Sequence, residues 1–116
     1  MSNEATLQAL AIIYAKRIGL KARPGVYTSA RRFNKAERDL GCNGTKIGRK
    51  LKANERLALS CSDCNIMYIN KKRVDTIYQE VGAVIHELVH LRWHKLEHGS
   101  SFNKRVKLIM KGKTYK

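Results

Sequence analysis

The chain has 116 residues, 43% of them hydrophobic, and its 24 lysines and arginines outnumber 9 aspartates and glutamates, which gives a formal net charge of +15. This length suits one small domain with its own core and is too short for two, so we expect a single domain over residues 1–116 with a basic tail at about 111–116. No segment has the apolar length of a membrane span, and the first residues do not resemble a secretory signal. These features predict a cytoplasmic protein that does not enter a membrane.

The excess positive charge produces a long-range field that attracts polyanions. Basic residues spread over segments 31–52, 71–73 and 104–116, without the aromatic-rich strand that is typical of an RNA-recognition module. We therefore expect association with nucleic acid, mainly through contacts with its backbone. A lysine-rich surface that serves only solubility is the alternative.

The first predicted elements are a helix and a short strand. Apolar residues recur at three- and four-residue steps over about residues 3–18, which predicts an amphipathic helix that stops at Gly19. A turn at Pro24-Gly25 precedes strand-forming residues at 26–28. The basic segment 31–39 fits a continuing strand, a loop or a short helix.

The rest of the chain predicts more strands and then two helices. Glycines in the middle of the chain indicate short hairpin strands, one of them at about 45–51, and alternation over 66–70 predicts a strand. Thr76 and Gln79 have capping-box spacing at the start of a helix that runs to about residue 94, and Asp75 is another possible cap. A serine at 100 or 101 can cap a last helix. The order predicts an α+β fold with an N-terminal helix, a small and mostly antiparallel sheet, a long helix and a C-terminal helix.

The long predicted helix contains His86-Glu87-Leu88-Val89-His90, the pattern H-E-x-x-H. Residues four apart on a helix project from one face, so both histidines can bind a single metal ion. Glu87 lies about 100° further round the helix, where it can act on water rather than bind the metal. Apolar residues at helical spacing surround the motif, which places it on a core helix; a row of structural histidines is the alternative reading.

A zinc site of this kind needs a third protein ligand. His94 continues the row, but on an unbroken helix it lies roughly 12 Å along the axis from His86, whereas zinc–nitrogen bonds measure about 2.0–2.1 Å. His98 can reach the ion if the helix ends before it and the chain folds back, which Gly99 permits. We expect His98 to be the third ligand, with Glu97 and then His94 as alternatives.

Three cysteines form a second pattern. Cys61-Ser62-Asp63-Cys64 is a C-x-x-C, and Cys42 is the third. One pair and a single cysteine leave a tetrahedral structural zinc site one ligand short. Ordinary reduced thiols, a disulfide or redox pair, and a second metal site are therefore all open.

The H-E-x-x-H motif, followed by His98-Gly99-x-x-Phe102, resembles the SprT-like zinc metallopeptidases and their relatives in the WLM and YgjP-like groups. Those families have the motif on a helix, a third histidine after a short connection, and an aromatic residue in the next helix. The resemblance implies a zincin-like minimal core that binds Zn²⁺, with Glu87 as the catalytic glutamate. The residues that match the metal ligands are His86, His90 and His98.

The family implies a metalloprotease that hydrolyses the peptide bonds of a protein or peptide substrate with a metal-activated water. Several of its members are implicated in cleaving proteins on or crosslinked to DNA, which suits the charge of this chain. An additional oxyanion donor would help, and the candidates by position are Tyr68, Tyr78, Arg92 and His94. The alternative is a non-catalytic basic protein that binds DNA and uses zinc as a structural staple.

Overall fold

A computed structural model describes residues 3–41, 57–74 and 76–112. Its helices and strands, in chain order, are α1 Glu4–Arg17, β1 Gly25–Tyr27, α2 Ala30–Asp39, β2 Ala58–Cys61, β3 Ile66–Ile69, α3 Ile77–Arg92 and α4 Ser100–Met110. A 3₁₀ turn at Lys71–Arg73 follows β3. The strand predicted at 45–51, Cys42, the alternative cap Asp75 and residues 113–116 of the basic tail lie outside the described residues. None of the described helices has both the length and the apolar character that crossing a membrane requires.

The predicted α+β class is confirmed. The three strands form one sheet in the order β1-β3-β2, in which β2 pairs antiparallel with β3 and β1 pairs parallel with β3. The sheet is therefore mixed, and the predicted antiparallel character applies to one of its two pairings. Parallel neighbours need a long crossover connection, and the helix α2 lies in that connection. The ambiguous segment 31–39 is thus helical, capped by Ser29, whose side chain accepts a hydrogen bond from the Arg32 amide.

Helices cover both faces of the sheet, because alternate residues of a strand point to opposite sides. On β3, Met67 and Ile69 belong to the larger core, which also contains residues of α1, α3 and α4. Tyr68 points the other way, towards Phe33 of α2, and both are buried. The layers are thus α2, the sheet, and a layer of the other three helices.

The helix α3 is the central element of the larger layer. It packs against α1, α4 and the sheet, and its buried apolar residues are Ala83, Val84, Ile85, Leu88, Val89 and Leu91. The predicted first helix packs into the same core through a stripe of side chains at four-residue steps, Leu7, Ala11, Ala15 and the following Ile18. Because so much of the surface of α3 is buried, this helix is held rigidly, and the direction of its remaining side chains is fixed.

The N-terminal caps of α3 and α4 differ in kind. The predicted cap at Thr76 is confirmed, since its hydroxyl accepts a hydrogen bond of 3.1 Å from the Gln79 amide. The prediction that a serine caps α4 is wrong: the N-cap position is Gly99, which makes no side-chain bond. Gly99 has φ 158° and ψ −164°, a conformation that side-chain-bearing residues rarely adopt, and it lets the chain enter α4 without a serine cap.

Candidate metal centre

The buried helix α3 places the first two histidines. His86 and His90 lie one helical turn apart and are partly buried, and their ring centroids are 4.9 Å apart. Glu87, between them in sequence, is only 5% exposed. The burial of α3 on its apolar side therefore leaves both imidazoles on the side that meets α4 and β2.

The connection between α3 and α4 brings the third histidine back. The helix ends at Arg92 because Trp93 adopts non-helical angles, φ −122° and ψ 65°. A turn follows, in which the Leu96 amide donates a hydrogen bond of 2.9 Å to the Trp93 carbonyl. Leu96 packs against the larger core and so anchors the connection. His98 then lies beside the two histidines of the helix.

His86, His90 and His98 form a compact group, which we call the histidine triad. The Nε2 atoms of His90 and His98 are 2.8 Å apart, and one ring nitrogen from each of the three residues lies within 4.8 Å of the others. Ligand nitrogens around one tetrahedral zinc ion lie about 3.3 Å apart, given zinc–nitrogen bonds of about 2.0–2.1 Å. The triad can therefore hold a metal ion, and its donor set, three neutral imidazoles, suits zinc among other transition metals.

Phe102 forms the apolar floor of the triad. This residue is fully buried on α4, and its ring centroid lies 4.7 Å from that of His86, 4.6 Å from His90 and 4.9 Å from His98. An aromatic ring in contact with all three imidazoles restricts their rotation. The aromatic residue of the predicted motif thus acts by packing.

The surroundings keep two of the imidazoles neutral. Burial, reinforced by the neighbouring histidines, lowers the pKa of His90 to about 4, and burial together with His98 lowers the pKa of His86. A protonated imidazole cannot bind a metal. Both residues are therefore neutral at neutral pH, the form that binds a metal.

A cleft of about 300 Å³ opens onto the triad. It is lined by His86, Glu87, His90 and His98 on one side and by Ala58, Leu59 and Ser60 of β2 on the other. A second cleft, of about 350 Å³, continues past His86 and Glu87 along α3 and is lined otherwise by Leu57, Ala58, Gln79, Gly82 and Ala83. Both clefts share Ala58, His86 and Glu87. The space beside the triad is therefore bounded by β2, and its extension along α3 has an apolar part formed by Leu57, Ala58, Gly82 and Ala83.

Ser60 lines the triad's cleft although it belongs to no sequence motif. In β2 it pairs with Met67, so its side chain points to the same face of the sheet as the triad, whereas Leu59 points to the α2 face. The segment 57–59 reads as apolar, and nothing in its spacing connects it with a motif 26 residues further on. The only usable signal was the alternation of β2, which requires the sheet register.

Other candidates from the sequence lie elsewhere. His94 and Glu97 are exposed and are not part of the triad. Tyr68 is buried on the α2 face of the sheet, and Tyr78 is 75% exposed at the start of α3. Arg92 donates a hydrogen bond of 3.0 Å from Nε to the Ile18 carbonyl. None of the residues suggested as oxyanion donors is among the described residues that line the triad's cleft.

Cys61 and Cys64 are separate from this site. Cys64 is disulfide-bonded, whereas Cys61 is a buried free thiol, so the C-x-x-C pair does not close on itself. Burial raises the pKa of the Cys61 thiol and makes it a poor nucleophile at neutral pH. Among the described residues, the group that can hold a metal ion consists of histidines alone.

Comparison of this chain with protein-family models, with curated proteins and with solved structures found no match.

Proposed function

We propose that this protein is a zinc-dependent peptidase whose metal is held by His86, His90 and His98 and whose catalytic base is Glu87. The observation that supports this most directly is the convergence of three imidazoles from two segments of the chain, beside a buried glutamate on the same helix. A purely structural histidine row would not need a third member from beyond the helix, nor an adjoining cleft. The resemblance to the SprT-like metallopeptidases agrees with this assignment.

The roles of the residues follow from their positions. Zinc bound at the triad would supply a Lewis acid that polarises a peptide carbonyl and activates a water. Glu87 lines the same cleft as the triad, which supports its proposed role as the base that would take a proton from water and transfer it to the leaving amine. The Ser60 side of β2 offers a hydroxyl and backbone groups to the substrate. Phe102 would keep the imidazoles oriented, and Leu96 would anchor the connection that carries His98.

The substrate would lie in the two clefts that share His86 and Glu87. Both are lined by β2, which has an outer position in the sheet formed by the described residues. An extended peptide can lie beside such a strand and form main-chain hydrogen bonds with it. The apolar lining of the larger cleft favours an uncharged side chain at that point of the substrate.

The charge of +15 supports a site of action on or near nucleic acid. A polycationic enzyme is concentrated on a polyanion at physiological salt, and so it meets the proteins that are bound there. We therefore include nucleic-acid association in the proposed function.

The test combines metal analysis with two matched variants. The wild type is expected to bind one zinc per chain and to cleave an unfolded protein substrate. Glu87→Gln should retain zinc and lose activity by about 10²–10⁴-fold, because it lacks the proton acceptor. Glu97→Gln, the same change at an exposed acid outside the triad, should be fully active. Full activity of Glu87→Gln would remove this residue from the mechanism, and a zinc-loaded wild type without any cleavage would favour the alternative of a zinc-stapled DNA-binding protein.

A further inference from the structure

The end of α3 carries another cleft, which the peptidase proposal does not use. It has a volume of about 520 Å³ and is lined by Arg92, Trp93, His94, Lys95 and Leu96. We call it the basic cleft. We propose that it binds the phosphodiester backbone of nucleic acid, with phosphates meeting Arg92, Lys95 and the adjacent Arg105. This inference rests on the nucleic-acid association proposed above and gives that association a location.

Two arginine side chains pack against the ring of Trp93. The guanidinium carbon of Arg92 lies 5.0 Å from the ring centroid and that of Arg105, from α4, lies 4.9 Å from it. Both distances are within the range of a cation–π interaction. The surface around Trp93 therefore carries two guanidinium charges, which attract a polyanion. Planar guanidiniums can also bind phosphate through paired N–H donors.

The arginines are held in place before any ligand arrives. Nε of Arg92 donates to the Ile18 carbonyl at the end of α1, and this bond uses one of the five N–H donors of a guanidinium. Nη1 of Arg105 donates to the Ser101 hydroxyl over 2.7 Å. Side chains that are already ordered lose less conformational entropy when they bind. The arrangement is therefore a preorganised cationic surface.

Positive charge near the basic cleft is not limited to Arg92 and Arg105. Lys95 is exposed, and Arg17 directly precedes the carbonyl that anchors Arg92. Glu97 is the one acid in the segment 92–98. A polyanion fits this balance of charge better than an acidic side chain or a neutral ligand does.

The position of the basic cleft connects it with the histidine triad. Its residues belong to the connection that runs from His90 to His98. A nucleic-acid strand bound there would lie on the segment that carries His98. Proteins attached to that nucleic acid would be held near the triad. Backbone contacts carry no sequence information, so we expect binding without sequence preference.

Trp93 is the only tryptophan in the chain, so its fluorescence reports on the basic cleft alone. The experiment titrates the full chain with a labelled oligothymidylate and follows both the anisotropy of the label and the tryptophan emission. We expect both signals to change with the same midpoint. The double variant Lys95→Gln/Arg105→Gln should bind at least roughly tenfold more weakly at 0.1 M salt, and the slope of log affinity against log salt should fall by about 1.4 for two lost phosphate contacts.

The matched control is Arg31→Gln/Arg38→Gln, which removes two charges from exposed positions of α2 on the other face of the sheet. It should retain affinity to within about threefold, because only the long-range field is reduced. Circular dichroism checks whether each variant is folded. If the double variant is unfolded, Arg105→Gln alone is used in its place. An equal loss in both double variants, or binding that leaves the Trp93 emission unchanged, would overturn the location. Absence of binding by the wild type would overturn the nucleic-acid association as well, whereas the peptidase proposal is measured independently.

Discussion

The Nε2 atoms of His90 and His98 lie 2.8 Å apart although the two residues are eight positions apart in the chain. The distance depends on the end of α3 at Arg92 and on the return of the chain before α4. His98 is thus the triad member that is not on the motif helix, and it is also the most exposed of the three.

Replacing His98 by alanine should weaken zinc binding by at least about 100-fold, since even an outer-shell partner of a metal ligand typically contributes 10–100-fold. His94→Ala is the control, because this exposed histidine lies in the same connection but outside the triad. Titration against a chromophoric chelator measures both affinities. Equal affinities in the two variants would show that His98 is not a ligand.

The ring of Phe102 should matter for the metal as well as for folding. Phe102→Leu keeps an apolar side chain but removes the ring that touches all three imidazoles, so we expect a loss of zinc affinity of about tenfold or more. Ile109→Val, at an equally buried position of the same helix, should cost about 0.5–1.5 kcal/mol of unfolding free energy without a change in zinc affinity. Calorimetric zinc titration together with urea unfolding separates these two effects.

Two glycine-to-alanine changes should shift the free energy of unfolding in opposite directions. Gly99 has φ 158°, so alanine there should destabilise the fold by about 1–3 kcal/mol and should weaken zinc binding by shifting the adjacent His98. Gly82 lies within α3, where an added Cβ would meet Met110 at 3.7 Å, an ordinary contact. Gly82→Ala should therefore stabilise the protein by about 0.4–1 kcal/mol. Urea denaturation of both metal-free variants provides the measurement, and a stabilising Gly99→Ala would contradict the backbone assignment.

Removal of zinc should lower the melting temperature without unfolding the domain at room temperature. The larger core is built from side chains of α1, α3, α4 and the sheet that do not depend on the triad. At a free zinc concentration 100 times the dissociation constant, binding contributes about 2.7 kcal/mol, which corresponds to a shift of roughly 10 °C in a domain of this size. Thermal scans with and without a chelator measure the shift. Complete unfolding by the chelator would instead indicate that zinc holds the fold together.

Acidification should weaken the contact between α1 and α2. The Glu4 carboxylate accepts two hydrogen bonds from Arg32, at 2.6 and 2.9 Å, and two more from Thr28, and these hold the pKa of Glu4 below its usual value of 4.5. The folded state therefore binds fewer protons than the unfolded state just below pH 4.5. The stabilisation is present above that pH and is lost as the pH falls through the lowered pKa.

Urea midpoints between pH 6 and pH 3 test this expectation. Glu4→Gln should be less stable than the wild type at pH 6, and the difference should shrink towards pH 3. The control is Asp39→Asn, which removes an ion pair with Lys35 whose side chains are 62% and 67% exposed, and it should have little effect at any pH. A pH-independent effect of Glu4→Gln would contradict the assigned cause.

Much of this protein could be predicted from local sequence. The four-residue spacing of His86 and His90 follows from helical geometry, the Thr76 cap follows from side-chain chemistry, and the first helix follows from its apolar stripe. The α+β class follows from the order of these elements. Such features depend on neighbours within a few residues, so the sequence by itself determined them.

The tertiary structure alone decided the features that join distant segments. The parallel pairing of β1 with β3 depends on where the chain goes after α2, and the helical state of segment 31–39 depends on the burial of Phe33 against the sheet. Ser60 faces the triad only because of the register of β2 with β3, and Arg105 meets Trp93 only because α4 packs beside α3. These contacts are nonlocal, and no spacing rule along the chain encodes them.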